Sequence, residues 1–279
     1  MLCYRYLDYE YGVESVISGN FKVASPQEFN DPLDCYGNAC GTPPRHVLVK
    51  FAKTFHSFGH STDDIADFIG RDFDLKMAAA IQDRSKIGNL FRLLCFSDVN
   101  KTSQESETLM WAHYADKGFG VRVLFDIPEE NLPNGCAVRA VDYAPDCKVP
   151  MLLLSTLTDF PMSREISEFY ARCIYTKGPI WGYENEIRMI IGPEAQKDLL
   201  PGMSKDGSRK VCDLYPIPRS WIKGFEFGSR VRECDVADAI ARIRDSGLRV
   251  CFKKAVFDGE RYCYDYWQRV ENDTKWKAV

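Results

Sequence analysis

No Cys-x-x-Cys occurs among the eleven cysteines of this 279-residue chain, and it has only four histidines. Structural zinc frames need such spacings, so none is expected. His56 and His60 could share a helix face. Gly59 interrupts them, however, and no acidic ligand stands beside them, so no metal site of any kind is expected. The cysteine count is odd and the residues are scattered, which is poor material for a disulfide framework. It fits a protein of the reducing cytoplasm. No apolar run approaches the ~20 residues that a membrane helix requires. The first residues, Met1-Leu2-Cys3-Tyr4, carry no signal-peptide pattern. There is no Walker loop, no Gly-x-Gly-x-x-Gly, no His-Glu-x-x-His and no Gly-x-Ser-x-Gly. An excess of positive charge is also missing: 36 Lys and Arg face 40 Asp and Glu, for a net charge of −4 and a pI near 5.7. This argues against a surface devoted to nucleic acid, but leaves room for a local basic cleft.

What is present suits a globular protein, with 45% hydrophobic and 27% charged residues. The pattern predicts a single domain over 1–279, of α+β class, with a mixed or antiparallel sheet and a helical insertion at 44–87. A short strand is expected at 2–7, then a helix with Val13, Val16 and Ile17 inward and Gly19-Asn20 as its stop. The strand at 21–25 runs into Ser25-Pro26-Gln27-Glu28, a capping box with proline at the first helical position. Phe29-Asn30-Asp31-Pro32 continues as a tight corner. Further strands are expected at 91–97, 118–126, 137–143, 210–215, 221–227 and 248–256. Helices are expected after Thr102-Ser103-Gln104-Glu105, at 162–176 and at 235–245. An exposed loop is expected at 202–209.

The most informative stretch runs from Lys177 through Trp181, Tyr183, Glu184 and Glu186 to Arg188. As one strand over 184–191 it places Glu184, Glu186 and Arg188 on one side and Ile187, Met189 and Ile191 on the other. The two carboxylates would then stand roughly 6–7 Å apart. A half-exposed strand with a surface ion pair explains these residues cheaply. A ligand cleft explains why charge and aromatic surface converge. The other clusters also have plain readings: Arg5 between Tyr4 and Tyr6 as a surface strand residue, Ser25 as a helix cap, and His113 beside Tyr114 as a hydrogen-bonded core histidine. Glu186 is the hardest to explain away, because a strand carboxylate among Trp, Tyr, Lys and Arg can be tuned for chemistry.

Taken together, Tyr4-Arg5-Tyr6, Ser25-Pro26, Phe29-Asn30-Asp31-Pro32-Leu33-Asp34, Cys95-Phe96-Ser97, Met110-Trp111-Ala112-His113-Tyr114-Ala115 and Trp181-x-Tyr183-Glu184-x-Glu186-x-Arg188 resemble a bacterial family known as domain of unknown function 2971. The likeness spans nearly the whole chain. Members typically carry a second histidine just before a glycine, where this chain has Lys117, and often a tryptophan where it has Ile187. More distantly, the order of Arg5, Ser25 and Glu186, with Glu184-x-Glu186, is similar to ADP-ribosyltransferases. That resemblance implies an ADP-ribosyltransferase-like fold and NAD as cofactor. Arg5 would hold the pyrophosphate and Ser25 would shape the ribose pocket. Glu186 would stabilise the oxocarbenium-like transition state, and Glu184 would orient or deprotonate the acceptor. Tyr183 or Trp181 would stack on nicotinamide.

Three functions compete. The first is an NAD-dependent ADP-ribosyltransferase or glycohydrolase with Glu186, Glu184 and His113 as catalytic candidates. Its cofactor would be held by Arg5, Ser25, Tyr183, Trp181, Tyr114, Arg188 and Lys177, and its acceptor would be a nucleic acid or a protein. The second is a non-catalytic module that binds a nucleotide or a nucleic-acid end in phage defence or stress response. There Arg5, Lys177 and Arg188 would neutralise phosphate, and Trp111 or Trp181 would stack a base. The third is a nuclease built on Asp31, Asp34, Glu184 and Glu186, but no Asp/Glu-x-Lys pattern accompanies these acids.

Overall fold

A computed structural model describes residues 1–31, 34–35, 38–40, 49, 61–64, 66–67, 90–144, 148–150, 173–204, 210–260, 263–269 and 276–278. In chain order the strands are β1 (Leu2–Leu7), β2 (Asn20–Val23), β3 (Asn38–Cys40), β4 (Arg92–Asp98), β5 (Val121–Asp126), β6 (Cys136–Ala140), β7 (Asp142–Tyr143), β8 (Lys148–Pro150), β9 (Thr176–Lys177), β10 (Glu186–Ile191), β11 (Leu200–Met203), β12 (Lys210–Pro216), β13 (Ile222–Phe227), β14 (Cys251–Asp258), β15 (Cys263–Arg269) and β16 (Trp276–Ala278). The principal helices are α1 (Tyr9–Ser18), α2 (Gln104–Tyr114) and α3 (Glu233–Asp245). The chain divides into two compact units. One holds Met1–Ala24, Phe91–Ala140 and Trp181–Val279, and the other Ser25–Leu90 and Val141–Ile180.

The first unit is built on a nine-stranded sheet ordered β16-β15-β14-β13-β5-β1-β4-β10-β6. Only β13 and β14 run parallel, and α3 makes the crossover between them. The remaining neighbours are antiparallel. A second sheet of this unit, β11-β12-β2, is antiparallel throughout. The expected α+β class with a mixed sheet is what this unit shows.

The two faces of the large sheet differ. On one, Leu94 and Phe96 of β4, Val121, Val123 and Phe125 of β5, and Ile187, Met189 and Ile191 of β10 join Val13 and Val16 of α1 and Val236, Ala239, Ile240 and Ile243 of α3 in the main core. A fully buried side chain of this size contributes roughly 1.5–3 kcal/mol. The helices here are those their sequences specify. Asp8 caps α1 by accepting from the Tyr11 amide, and Gly19 ends it at φ 77°. The spacing of Val236, Ala239, Ile240 and Ile243 makes one apolar stripe. On the other face, Tyr6, Met110, Trp111, Ala115 and Ala255 form a second cluster, with Tyr4, Tyr114, Tyr183, Tyr264 and Tyr266 packed against it.

Several expected boundaries move. The cap of α2 is Ser103, reciprocated by Ser106, rather than the Thr102–Glu105 pair. The fifth strand begins at Val121, after Lys117 and Gly118 take left-handed backbone angles. Nearly all of the insertion expected at 44–87 lies outside the described residues, as do most of the helix expected at 162–176 and His56 and His60. Of those helices, residues 49, 62–64, 66–67 and 173–174 are described and helical, and Thr176–Lys177 is already a strand. Gly202 and Met203, expected in a loop, end β11. Among the described residues no helix is long and apolar enough to cross a membrane, and Cys3, Cys35, Cys95, Cys136, Cys173, Cys212, Cys234, Cys251 and Cys263 are free thiols.

In the second unit, β3 pairs with β8 and β7 with β9, both in parallel. The capping box forms as expected: the Ser25 side chain accepts from the Gln27 amide, and Glu28 accepts from the Ser25 amide.

Candidate functional site

Strand pairing decides which candidate residues of the first unit can meet. Tyr4 of β1 pairs with Ser97 of β4, and Ser97 pairs with Glu186 of β10. Paired residues share a face, so Tyr4, Ser97 and Glu186 point the same way. Arg5, next along β1, points to the opposite face. It pairs with Val123 of the main core, and its guanidinium lies 5.8 Å from the Phe96 ring centroid. The expectation that Arg5 and Glu186 line a common cleft is therefore not met. The alternation that separates Ile187 from Glu186 also separates Arg5 from Glu186.

Backbone on its own face holds the two terminal nitrogens of Arg5, while its buried Nε has no hydrogen-bond partner among the described residues. Arg5 donates to the Lys22 carbonyl at 2.7 Å and the Cys95 carbonyl at 3.2 Å. No described carboxylate pairs with it. Burial depresses its pKa below the ordinary value, while Tyr11 and Cys95 push the other way.

Glu186 and Arg188 form a bidentate pair. Arg188 Nε donates to one Glu186 oxygen at 2.7 Å and Nη2 to the other at 2.8 Å. Exposure is 5% for the carboxylate and 0% for the guanidinium. All six residues of β10 are buried, so the expected half-exposed strand is in fact covered on both faces. Cys95 pairs with Arg188 and packs beside Glu186. Burial first, then the Glu186 charge, raise its thiol pKa well above the usual value, so it stays protonated.

Glu184 is not on the strand. Pro179–Glu184 is a 3-10 segment, and Asn185 takes φ 46° before β10 starts. The segment is tied to the end of α2 by two parallel links. His113 Nδ1 lies 3.0 Å from the Tyr183 hydroxyl, and the Tyr114 hydroxyl donates to Glu184 at 2.5 Å. Asn185 adds a bond to the Lys101 carbonyl, and the Asp98 amide donates to the Asn185 carbonyl. The His113 and Tyr183 rings meet edge to face at 5.8 Å, and Trp181 lies 6.2 Å from Tyr183. His113 is exposed, and Trp181 and Tyr183 are half-buried. The structure thus brings His113, Tyr114, Trp181, Tyr183 and Glu184 together, with Glu186 and Arg188 at the head of the following strand.

Sequence reasoning missed the group that seats α2. Arg122 is 3% exposed and pairs with Glu226 at 2.5 Å and with Glu107 of α2. It also donates to the Tyr6 hydroxyl at 3.1 Å, and its guanidinium stacks 3.9 Å from the Tyr4 ring and 4.4 Å from that of Tyr266. Trp111 donates to the Tyr266 hydroxyl, which donates to Glu107. Trp111 is thereby 1% exposed, which removes it as a base-stacking residue. The readable signal was a charged residue inside Val121-Arg122-Val123, where a strand buried on both sides demands a partner.

Ser25 and Lys177 belong to the second unit. Ser25 acts as the helix cap described above. Lys177 lies 3.3 Å from Asp34, with exposures of 4% and 2%. Among the described residues no three His, Cys, Asp or Glu side chains converge as a metal site. Comparison with models of known families, with curated proteins and with solved structures gives no match.

Proposed function

We propose that this chain is a non-catalytic binding module of the cytoplasm, and that the surface of His113, Trp181 and Tyr183 receives the planar base of a nucleotide or nucleic-acid end. One observation carries the reading: both oxygens of Glu186 are held by Arg188 in a buried bidentate pair. A carboxylate so engaged is suited to fixing a strand rather than to receiving a ribose hydroxyl. Arg5 lies on the other face of the sheet, and Arg188 and Lys177 each hold a carboxylate. Recognition therefore falls to aromatic stacking and to the His113–Tyr183 pair, not to the cations that the sequence suggested.

Titration of intrinsic tryptophan fluorescence with AMP, NAD and a 5′-phosphorylated oligonucleotide tests it. At least one should bind, and Trp181→Ala should weaken that binding by about tenfold or more, since stacking on one base is worth about 1–3 kcal/mol. Glu186→Gln should leave affinity largely intact. No binding by any of the three would defeat the reading.

A second reading, an NAD-dependent ADP-ribosyltransferase or glycohydrolase, draws support from the adjacency of Glu184 to the His113–Tyr183 pair. It requires Glu186 to exchange Arg188 for the ribose. Release of nicotinamide from NAD, lost in Glu186→Gln with binding retained, would favour it over the first.

A further inference from the structure

The acidic chain carries a concavity of the opposite sign. Between the C-terminal end of α3 and the starts of β13 and β14 lies an open groove of about 1150 Å³. Arg219, Lys223, Arg244 and Arg249 line it, against a single acid, Asp245. We propose that this groove binds the phosphodiester backbone of a single-stranded nucleic acid, without reading its bases. The inference stands apart from the base-binding surface proposed above.

Three observations carry it. First, three of the four cations, Arg219, Lys223 and Arg244, are held in place without being neutralised. Both terminal nitrogens of Arg219 donate to the Ser246 carbonyl at 3.0 Å, and one also to its hydroxyl at 2.6 Å. The Arg219 Nε is buried with no hydrogen-bond partner. Lys223 donates to the Ser220 carbonyl at 2.8 Å, and Arg244 lies 5.6 Å from the Phe252 ring centroid. Side chains fixed in this way lose little freedom when an anion arrives. Second, none of the four has an ion-pair partner among the described residues, whereas Lys210, Arg232, Arg242 and Lys254 of the same unit are each matched with a carboxylate. Unpaired cations that converge, in a chain of net charge −4, make a local attractive field for anions. Third, the size exceeds what one phosphate fills, and the cations come from three separate stretches, at and just before the start of β13, at the end of α3 and before β14. That spread suits a chain of phosphates. The one aromatic lining the groove, Phe252, is 3% exposed, so no stacking platform for a base is offered. Capping of α3 explains Arg219 and favours Arg244. It does not explain Lys223 or Arg249.

The test is fluorescence anisotropy with a labelled oligothymidylate over a salt series. The intact chain should bind, with affinity falling as salt rises. K223Q/R244Q/R249Q changes only exposed side chains. It should weaken binding about tenfold or more and flatten the logarithmic salt slope by roughly 2, at about 0.7 per lost phosphate contact. Circular dichroism verifies that the triple variant is folded, and R249Q alone should give a partial loss. An oligoadenylate of equal length should bind equally. Any of three results overturns the proposal: no binding by the intact chain, an unchanged slope in the triple variant, or equal competition by polyglutamate. Binding of inorganic tripolyphosphate with neglect of the oligonucleotide would overturn it too, by assigning the groove to a free polyphosphate.

Discussion

The Tyr114 hydroxyl donates to the carboxylate of Glu184 at 2.5 Å, one residue along from the matching link between His113 and Tyr183. Two consecutive residues at the end of α2 thus hold two consecutive residues of the 3-10 segment. These two links fix where the segment sits against α2. Tyr114→Phe removes a hydrogen bond to a buried charged group, and such bonds contribute about 1.5–3 kcal/mol. Urea titration should show the variant less stable by that amount. It should also lose nucleotide affinity, because Trp181 and Tyr183 are no longer held in register. A variant that loses stability but binds as tightly as the parent would detach the segment from the ligand site.

Arg122 should be the costliest single charge to remove. Its partners Glu107 and Glu226 are buried with it, and breaking a buried pair from one side costs about 3–5 kcal/mol. Arg122→Met should fall in that range by denaturant titration. Glu226→Leu combined with Arg122→Met should cost clearly less than the sum of the two single changes, since the double variant leaves no unpartnered carboxylate on β13. Additive losses would mean that the two residues do not act as a pair.

Much of the fold was legible from local chemistry. The apolar alternation of β10, the stripe of α3, the Gly19 end of α1 and the Ser25 capping box all emerge as the sequence suggests. The candidate site was legible in composition and not in arrangement. Glu184 and Glu186 read as alternate residues of one strand, yet Asn185 at φ 46° starts the strand after it. Asparagine tolerates that geometry, so the break had a signal. Arg5 shares parity with Cys3 and Leu7, both in the main core, while Glu186 lies out of parity with Ile187. Comparing parity with the core, rather than order along the chain, separates the two. The Arg122 network joins residues 104 apart in sequence, and no local pattern specifies it.

High pH should loosen the second cluster. Burial raises the pKa of Tyr6 from 10.0 to about 12, partly offset by the Arg122 charge, and Tyr266 is raised well above its usual value for the same first reason. The folded-state pKa exceeds the unfolded one. The associated stability is therefore complete below about 10 and is lost as pH rises through about 12. For Tyr6 the loss is of order 2–3 kcal/mol. Urea midpoints measured across that window should fall, and Tyr6→Phe should flatten the fall. A midpoint independent of pH in this range would place both hydroxyls in contact with water.

The turn after α2 should tolerate no side chain at Gly120. A methyl group there would collide with the Leu7 carbonyl, and it would lie 2.8 Å from the Ala115 backbone. The Gly120 amide donates to the Ala115 carbonyl at 2.8 Å, and its carbonyl accepts from the Gly228 amide at 2.9 Å. Three backbones meet at one point, and none is a flexible side chain that can yield. Gly120→Ala should cost at least the 1–3 kcal/mol or so typical of overpacking, and more if β5 shifts against β1. Gly247 is the internal control. It has φ 81° but nothing within 4 Å of an added methyl. Gly247→Ala should lose only the strain of its backbone angle, roughly 1–2 kcal/mol. Gly120→Ala should therefore unfold at a lower temperature than Gly247→Ala, and the reverse order would show that the β1–β5 junction yields where the packing says it cannot.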